Sequence, residues 1–175
     1  MHHSSRRTSL RRLGTALAAL VALVSLSGCV PLPTSGHGAT SIPGQNPAAE
    51  KQLLASVNGL RAAHHERALA LHTNLVQKAR YWALWMAAGN CGRTSSGAFA
   101  ICHSSLAGGI HVHWTILEEN VGAASPRTNV AGVAHAFAVS KPHLANILNP
   151  KITYVGIGVA YHGNTIFVAE EFMAT

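Results

Sequence analysis

Two glycines on one face of a strand constrain this chain more than any other feature. From Ile152 to Tyr161 the apolar residues Val155, Ile157 and Val159 alternate with Gly156 and Gly158. Alternation at period two is a strand signal, and it sends the large side chains to one face and the glycines to the other. Paired glycines inside a strand mark a face on which another element packs closely. His162-Gly163-Asn164 is a tight-turn signal, and Thr165 to Phe172 reads as the returning strand. The chain must therefore bring another element against the bare face of an antiparallel hairpin.

Helices precede this hairpin. Leu53, Leu54, Val57, Leu60 and Arg61 recur at helical spacing and predict a helix over Ala48 to His65. A short segment, Ala68 to Leu71, leads to a second helix over Thr73 to Ala88. Its wide apolar face includes Leu75, Val76, Ala79, Leu84 and Met86, and at this spacing Tyr81, Trp82 and Trp85 read as core. Gly89-Asn90 is a helix stop. A third helix is expected from Asn129 to Val139 and a short helical turn from Pro142 to Leu148. Ile110 to Trp114 alternates and reads as a further strand or an extended loop. Helices mixed with antiparallel strands give an α+β class.

The N-terminus reads as an export signal. Arg6, Arg7, Arg11 and Arg12 precede an apolar run from Leu13 to Leu26. That run is short of the roughly 20 residues that cross a bilayer. Leu26-Ser27-Gly28-Cys29 has the form of a lipobox, in which the Cys29 thiol is alkylated with diacylglycerol before cleavage. Ser5-Arg6-Arg7-Thr8-Ser9-Leu10 also resembles a twin-arginine export motif, with Ser9 where an aromatic residue is usual. Residues 1–28 are thus expected to be a lipoprotein signal peptide. Residues 29–47, with Pro31, Pro33, Pro43 and Pro47, are expected to be a flexible tether. Residues 48–175 would form the folded domain, held through lipidated Cys29 at the outer face of the cytoplasmic membrane or in the cell envelope.

Without residues 1–28 the chain keeps nine Lys/Arg and six Glu, a formal charge of +3. There is no basic stripe with interleaved aromatics, so nucleic acid is not an expected partner. There is no Asp, and any carboxylate chemistry falls to Glu50, Glu66, Glu118, Glu119, Glu170 or Glu171. Cys91 and Cys102 are left as a pair in an oxidising setting. A disulfide between them would close a loop of about a dozen residues and contribute roughly 2–3 kcal/mol. A zinc site using both thiols is the alternative, though no CxxC spacing supports it.

The C-terminal half also carries an ordered series of short motifs. Cys102-His103-Ser104 comes first, then Glu118-Glu119-Asn120-Val121, then Ser140-Lys141-Pro142-His143-Leu144-Ala145-Asn146-Ile147-Leu148, then the glycine strand. Val57-Asn58-Gly59-Leu60-Arg61 and Leu69-Ala70-Leu71 stand upstream in matching order. Over about Glu50 to Phe172 the chain resembles the bacterial branch of the CAP superfamily. That group contains cysteine-rich secretory proteins, antigen 5 and plant pathogenesis-related proteins. The resemblance implies an α-β-α sandwich, a small antiparallel sheet flanked by helices.

The resemblance also implies a cleft. Its first histidine would be His103, its glutamate Glu119 and its second histidine His143. Eukaryotic members have a second glutamate shortly before the last histidine, where this chain has Phe137-Ala138-Val139-Ser140, so no carboxylate is expected to play a second role. Two imidazoles and one carboxylate suit Zn2+ or another divalent cation. Glu119 would ligate directly, orient a histidine from behind, or act as general base to a bound water. It can also serve only to fix a turn by accepting backbone N–H bonds. His111, on one face of Ile110 to Trp114 with His113, is a further candidate ligand. There is no GxSxG elbow for a serine nucleophile. The resulting expectation is a non-catalytic extracytoplasmic module that binds a small molecule, lipid or envelope component. A metal-dependent hydrolase using His103, His143 and Glu119 is the rival, and a protein-interaction module is the third reading.

Overall fold

A computed structural model describes residues 46–175. The expected signal peptide, the lipidation site Cys29 and the tether up to residue 45 lie outside the described residues. Helix α1 (Pro47–Ala63) leads to the two-residue strand β1 (Ala70–Leu71) and helix α2 (Thr73–Ala87). Strand β2 (Ile116–Ala124), helices α3 (Val130–Val139) and α4 (Lys141–Leu148), and strands β3 (Tyr154–His162) and β4 (Thr165–Ala174) complete the order. The sheet order is β1-β3-β4-β2. The three long strands are antiparallel, and only the short β1 pairs parallel with β3. Helices cover both faces, as an α-β-α sandwich requires.

The glycine face is where α2 lies. A Cβ built on Gly156 would overlap the backbone of Leu75 and Val76, and one on Gly158 that of Ala79 and Arg80. Two residues along a strand and four along a helix both advance about 6–7 Å, so the two glycines meet successive turns of α2. The contact is correspondingly small in side chains: Ala79 and Ala83 of α2 pack with Ala160, Phe167 and Ala169 of the sheet. The opposite face carries the larger core. Leu53 and Val57 of α1, Val133 and Phe137 of α3 and Ile147 of α4 close over Val155, Ile157, Val159, Val168 and Phe172.

This cradle overturns one expectation. Tyr81 and Trp85 are exposed, so these two rings are not core, whereas Trp82 is half-buried and packs against the cluster of Ala79, Ala83 and Phe167. At the glycines the sheet meets the backbone of α2, with Ala79, Ala83 and Met86 packed beside it, and the rings of Tyr81 and Trp85 turn outward. Lys78 takes a buried place on the same helix instead.

Side chains fasten the remaining elements. Asn46 caps α1, its Oδ1 accepting from the Ala49 N–H at 3.2 Å, and its amide donates to the Tyr161 hydroxyl at 2.6 Å. Asn58 holds both backbone groups of Leu69. Arg61, fully buried, donates to the carbonyls of Arg67, Ile147 and Asn149. Cys91 and Cys102 are joined as a disulfide, with Cα atoms 5.6 Å apart. Ile110 to Trp114 is an exposed loop rather than a strand. Among the described residues no helix is long and apolar enough to cross a membrane.

Candidate functional site

Strand β2 organises the site because its centre is polar. Alternation sends Glu119 toward the α2 face and Asn120 toward the α4 face. Both are buried, so both need partners. Glu119 Oε1 accepts from His103 Nδ1 at 2.7 Å and from the Ser104 N–H at 2.9 Å. Its Oε2 lies 3.2 Å from the same N–H. The two partners come from the loop that follows the disulfide, as Trp82 Nε1 donates to the Cys102 carbonyl at 2.8 Å. Asn120 donates to the His143 carbonyl at 3.2 Å and to Glu170 at 3.0 Å. Asn146 of α4 completes this side by donating to Asn120 Oδ1 at 2.9 Å.

The structure corrects the expectation that no second carboxylate is available. The register pairs Glu119 with Glu171, and Asn120 with Glu170. Glu171 stands beside Glu119 on the α2 face, with Lys78 Nζ 2.6 Å from its Oε2 and 2.7 Å from Ser104 Oγ. The second acid thus comes from β4, not from the segment before His143. A lysine within an apolar helix face and two adjacent glutamates in an apolar strand are its signals in the sequence.

Burial pushes the Glu171 carboxyl up to about 8, against the pull of the Lys78 ammonium and with the push of Glu119. Burial also pushes Glu119 upward, but the bonds it receives from Ser104, Glu171 and His103 outweigh this and hold it below its ordinary value. The pair therefore keeps one proton and one negative charge between its members, and Lys78 balances that charge. On the other face burial pushes Glu170 up to about 7, opposed by the hydrogen bond from Asn120.

Glu170 and Glu171 each bind a proton in the folded chain that the unfolded chain releases above the ordinary value of 4.5. Their contribution to stability is full below that value and is lost as pH rises through about 7 and 8. Glu119 acts oppositely, and its contribution is lost as pH falls below its ordinary value. Stability is expected to be greatest near the ordinary carboxyl value and to fall by roughly a few kcal/mol toward the alkaline side. Urea midpoints measured across that range check this, and Glu170→Gln should flatten the descent. Midpoints that stay level in the natural chain would refute it.

His103 is exposed, with its Nδ1–H directed at Glu119, which leaves Nε2 to the cleft. The cleft holds about 320 Å3 and is lined by His103, Ser104, Leu106, Glu118, Glu119 and Asn146, with Leu117. His143, on α4, is half-buried and does not line this cleft; its ring lies 5.0 Å from that of Phe137. Its Nδ1 is buried without a hydrogen-bond partner. Burial and the charge of His103 lower its pKa, which favours neutral imidazole. His111 lines a separate groove with Asn74, Lys78 and Tyr81. A more apolar hollow of about 300 Å3, between Leu54, Leu71, Val76 and Ile157, lies away from both histidines.

His103 Nε2 is left to the cleft, whereas His143 is not among the residues that line it and its unpartnered Nδ1 is buried. Glu119 has its oxygens engaged and stands behind His103. Among the described residues no group of three His, Cys, Asp or Glu side chains converges to hold a metal ion. Such a set would hold an ion only weakly, with water at its remaining positions, and is not a closed structural zinc site.

No curated protein sequence matches this chain. Solved structures do. A cysteine-rich secretory protein from Staphylococcus aureus is 20% identical with a TM-score of 0.55 over 74% of this chain, which spans 40% of that protein's length. An outer surface protein of Borrelia burgdorferi is 16% identical with a TM-score of 0.60, over 75% of this chain and 98% of that one. NaASP2, solved with Zn2+, is 13% identical with a TM-score of 0.54, over 74% and 81%. At such identities the likeness shows the fold. The family model described as "CAP: Cysteine-rich secretory protein family" matches residues 54–173, most of the folded part. With helices on both faces of the sheet and that match across it, the chain belongs to the cysteine-rich secretory protein (CAP) family.

Proposed function

We propose that this chain is an exported, lipid-anchored CAP domain that binds a small molecule, a lipid or an envelope component in the His103/Glu119 cleft without turning it over. The signal-like residues 1–28 and the lipobox at Cys29 support export and anchoring. The naming of the similar Borrelia burgdorferi protein as an outer surface protein is in keeping with that location.

One observation carries the preference for binding over catalysis. Both oxygens of Glu119 are engaged by the Ser104 N–H and by His103, and the side chain is 1% exposed. A general base must reach the proton it removes. Glu119 instead holds the His103 ring in one tautomer and points Nε2 at the cleft, which is the work of an orienting group. A divalent cation, if bound, would sit on His103 and His143 and would supply a Lewis-acidic point for an anionic or carbonyl group of the ligand. The Zn2+ in NaASP2 supports that choice of ion. Lys78 and Glu171 keep the site neutral overall and hold Glu119 in place.

Calorimetric titration of zinc into residues 46–175 tests this reading. Binding is expected to be saturable, to be lost in the His103→Ala/His143→Ala variant, and to weaken about 10–100-fold in Glu119→Gln. Zinc binding that ignores both histidines would end the cation part and leave the cleft to a metal-free ligand. Turnover of an ester, glycoside or peptide substrate that Glu119→Gln abolishes would overturn the binding reading in favour of the hydrolase. If neither histidine affects any binding, the third reading, a protein-interaction surface, takes over.

A further inference from the structure

The apolar side chains that remain exposed are not scattered. Among the described residues eight large hydrophobic side chains are exposed, and six of them belong to α2 and the loop over residues 101–114: Tyr81, Trp85, Ile101, Leu106, Val112 and Trp114. They are between 38% and 59% exposed. Isolated exposed apolar residues need no explanation, but a concentration on one face does. Here loop and helix are fastened together. Asn74 of α2 donates to the Gly109 carbonyl at 2.8 Å and accepts from the His111 N–H at 2.9 Å. Trp82 donates to Cys102 and stacks on Trp85, with ring centroids 6.0 Å apart and planes within 10°. Tyr81 lies 6.0 Å from Trp85 on the other side. The result is a fixed aromatic ledge beside a loop of alternating apolar and histidine side chains.

A second observation concerns charge. No glutamate among the described residues is exposed. Glu50 is held by Arg80, Glu66 and Glu118 are half-buried, and Glu119, Glu170 and Glu171 are inside. Among the cations Arg61 and Lys78 are buried and Arg80 is half-buried, whereas Lys51, Arg67, Arg93, Arg127, Lys141 and Lys151 are exposed. Arg93 is stacked 4.5 Å over Phe99, whose ring lies against Gly89 just past the end of α2. The domain's exposed ionic side chains are therefore of one sign, and no orientation turns an exposed glutamate toward an approaching anionic surface.

We propose that the outer face of α2 and the 101–114 loop dock onto an anionic lipid bilayer. Trp and Tyr, with an apolar body and a polar tip, suit the headgroup boundary. Ile101, Leu106 and Val112 supply short apolar insertions that need no partner pocket. Arg93 adds attraction to anionic headgroups that salt weakens, whereas Lys51 of α1 and Lys141 of α4 belong to the layer on the other face of the sheet. This docking is separate from the cleft chemistry and does not depend on the lipid at Cys29. It would lay the domain flat against the membrane, with Leu106 at the boundary between the ledge and the cleft.

The test uses residues 46–175, which hold both core layers and lack the N-terminal segment, in sedimentation with lipid vesicles. The domain is expected to bind phosphatidylglycerol vesicles, with a blue shift of tryptophan fluorescence, and to bind phosphatidylcholine vesicles much less. Added salt should weaken the binding. Tyr81→Ser/Trp85→Ser is expected to reduce phosphatidylglycerol binding about tenfold or more, since two rings would no longer leave water. Val112→Ser/Trp114→Ser, which leaves α2 intact, should do the same, whereas Leu71→Ser, exposed elsewhere, should not. Equal binding to both lipids, or both ledge variants binding like the natural domain, overturns the proposal. So does a natural domain that binds neither vesicle, in which case the ledge belongs to a protein or glycan partner.

Discussion

Gly158→Ala is expected to destabilise the fold by about 3 kcal/mol, the upper end of what an added methyl group usually costs in a packed interior. The reason is what that methyl would meet. A Cβ at this position overlaps the backbone of Ala79 and Arg80, and backbone inside a helix has no rotamer to change. Gly156 stands in the same relation to Leu75 and Val76. Either the helix lifts from the sheet or the strand bends, and both open the layer in which Ala79, Ala83 and Phe167 pack. The double variant should not be twice as damaging, because the first displacement of α2 relieves part of the second clash. Urea denaturation of residues 46–175 gives the answer directly. A loss below about 1 kcal/mol for Gly158→Ala would mean that α2 sits farther from the sheet than described. Loss of the Lys78–Glu171 contact should accompany the lifted helix, so the variant should also disturb the cleft.

Arg61→Met is expected to cost about 4 kcal/mol, and Arg61→Lys to recover little of it. Arg61 is buried in α1, yet its guanidinium donates to the Arg67, Ile147 and Asn149 carbonyls at 2.6, 2.7 and 3.0 Å. Two of those acceptors close the end of α4, more than eighty residues away in the chain. Methionine fills much of the volume but leaves the carbonyls without donors in a place water does not reach. Lysine has charge without the planar fork that reaches several acceptors at once. The same denaturation assay reads both variants, and a lysine variant equal to the natural chain would show that charge alone suffices.

Much of this architecture is legible in the sequence. The glycine strand announces a close-packed neighbour, and the hairpin turn and four helices fall within a few residues of their expected places. Strand β2 is not legible, because Glu118-Glu119-Asn120 at its centre reads as polar turn. It is buried only because His103, Ser104, Asn146 and Asn149 arrive from elsewhere to satisfy it. The aromatic residues of α2 mislead for a related reason. Helical spacing shows that a face is apolar, not how close the opposing surface lies, and here Gly156 and Gly158 bring the helix backbone so close that Tyr81 and Trp85 are left outside. The His103–Glu119 pair comes from resemblance to a family rather than from spacing. Glu171 and Lys78 stand out locally as charges in apolar segments, but their meeting with Glu119 is not legible, because it depends on the register of β2 against β4 and on where α2 sits.

Asn46 is tied to the hydroxyl of Tyr161, near the turn end of β3. Glu171, beside Glu119, pairs with Gly156 near the start of that strand. From Gly156 to Tyr161 is about 17 Å of extended chain. The N-terminal connection and the cleft therefore occupy opposite ends of the sheet. A tensile load or a sensor chip attached through the N-terminus would grip the hairpin end and leave the cleft facing the medium. Attachment through the 101–114 loop would do the reverse.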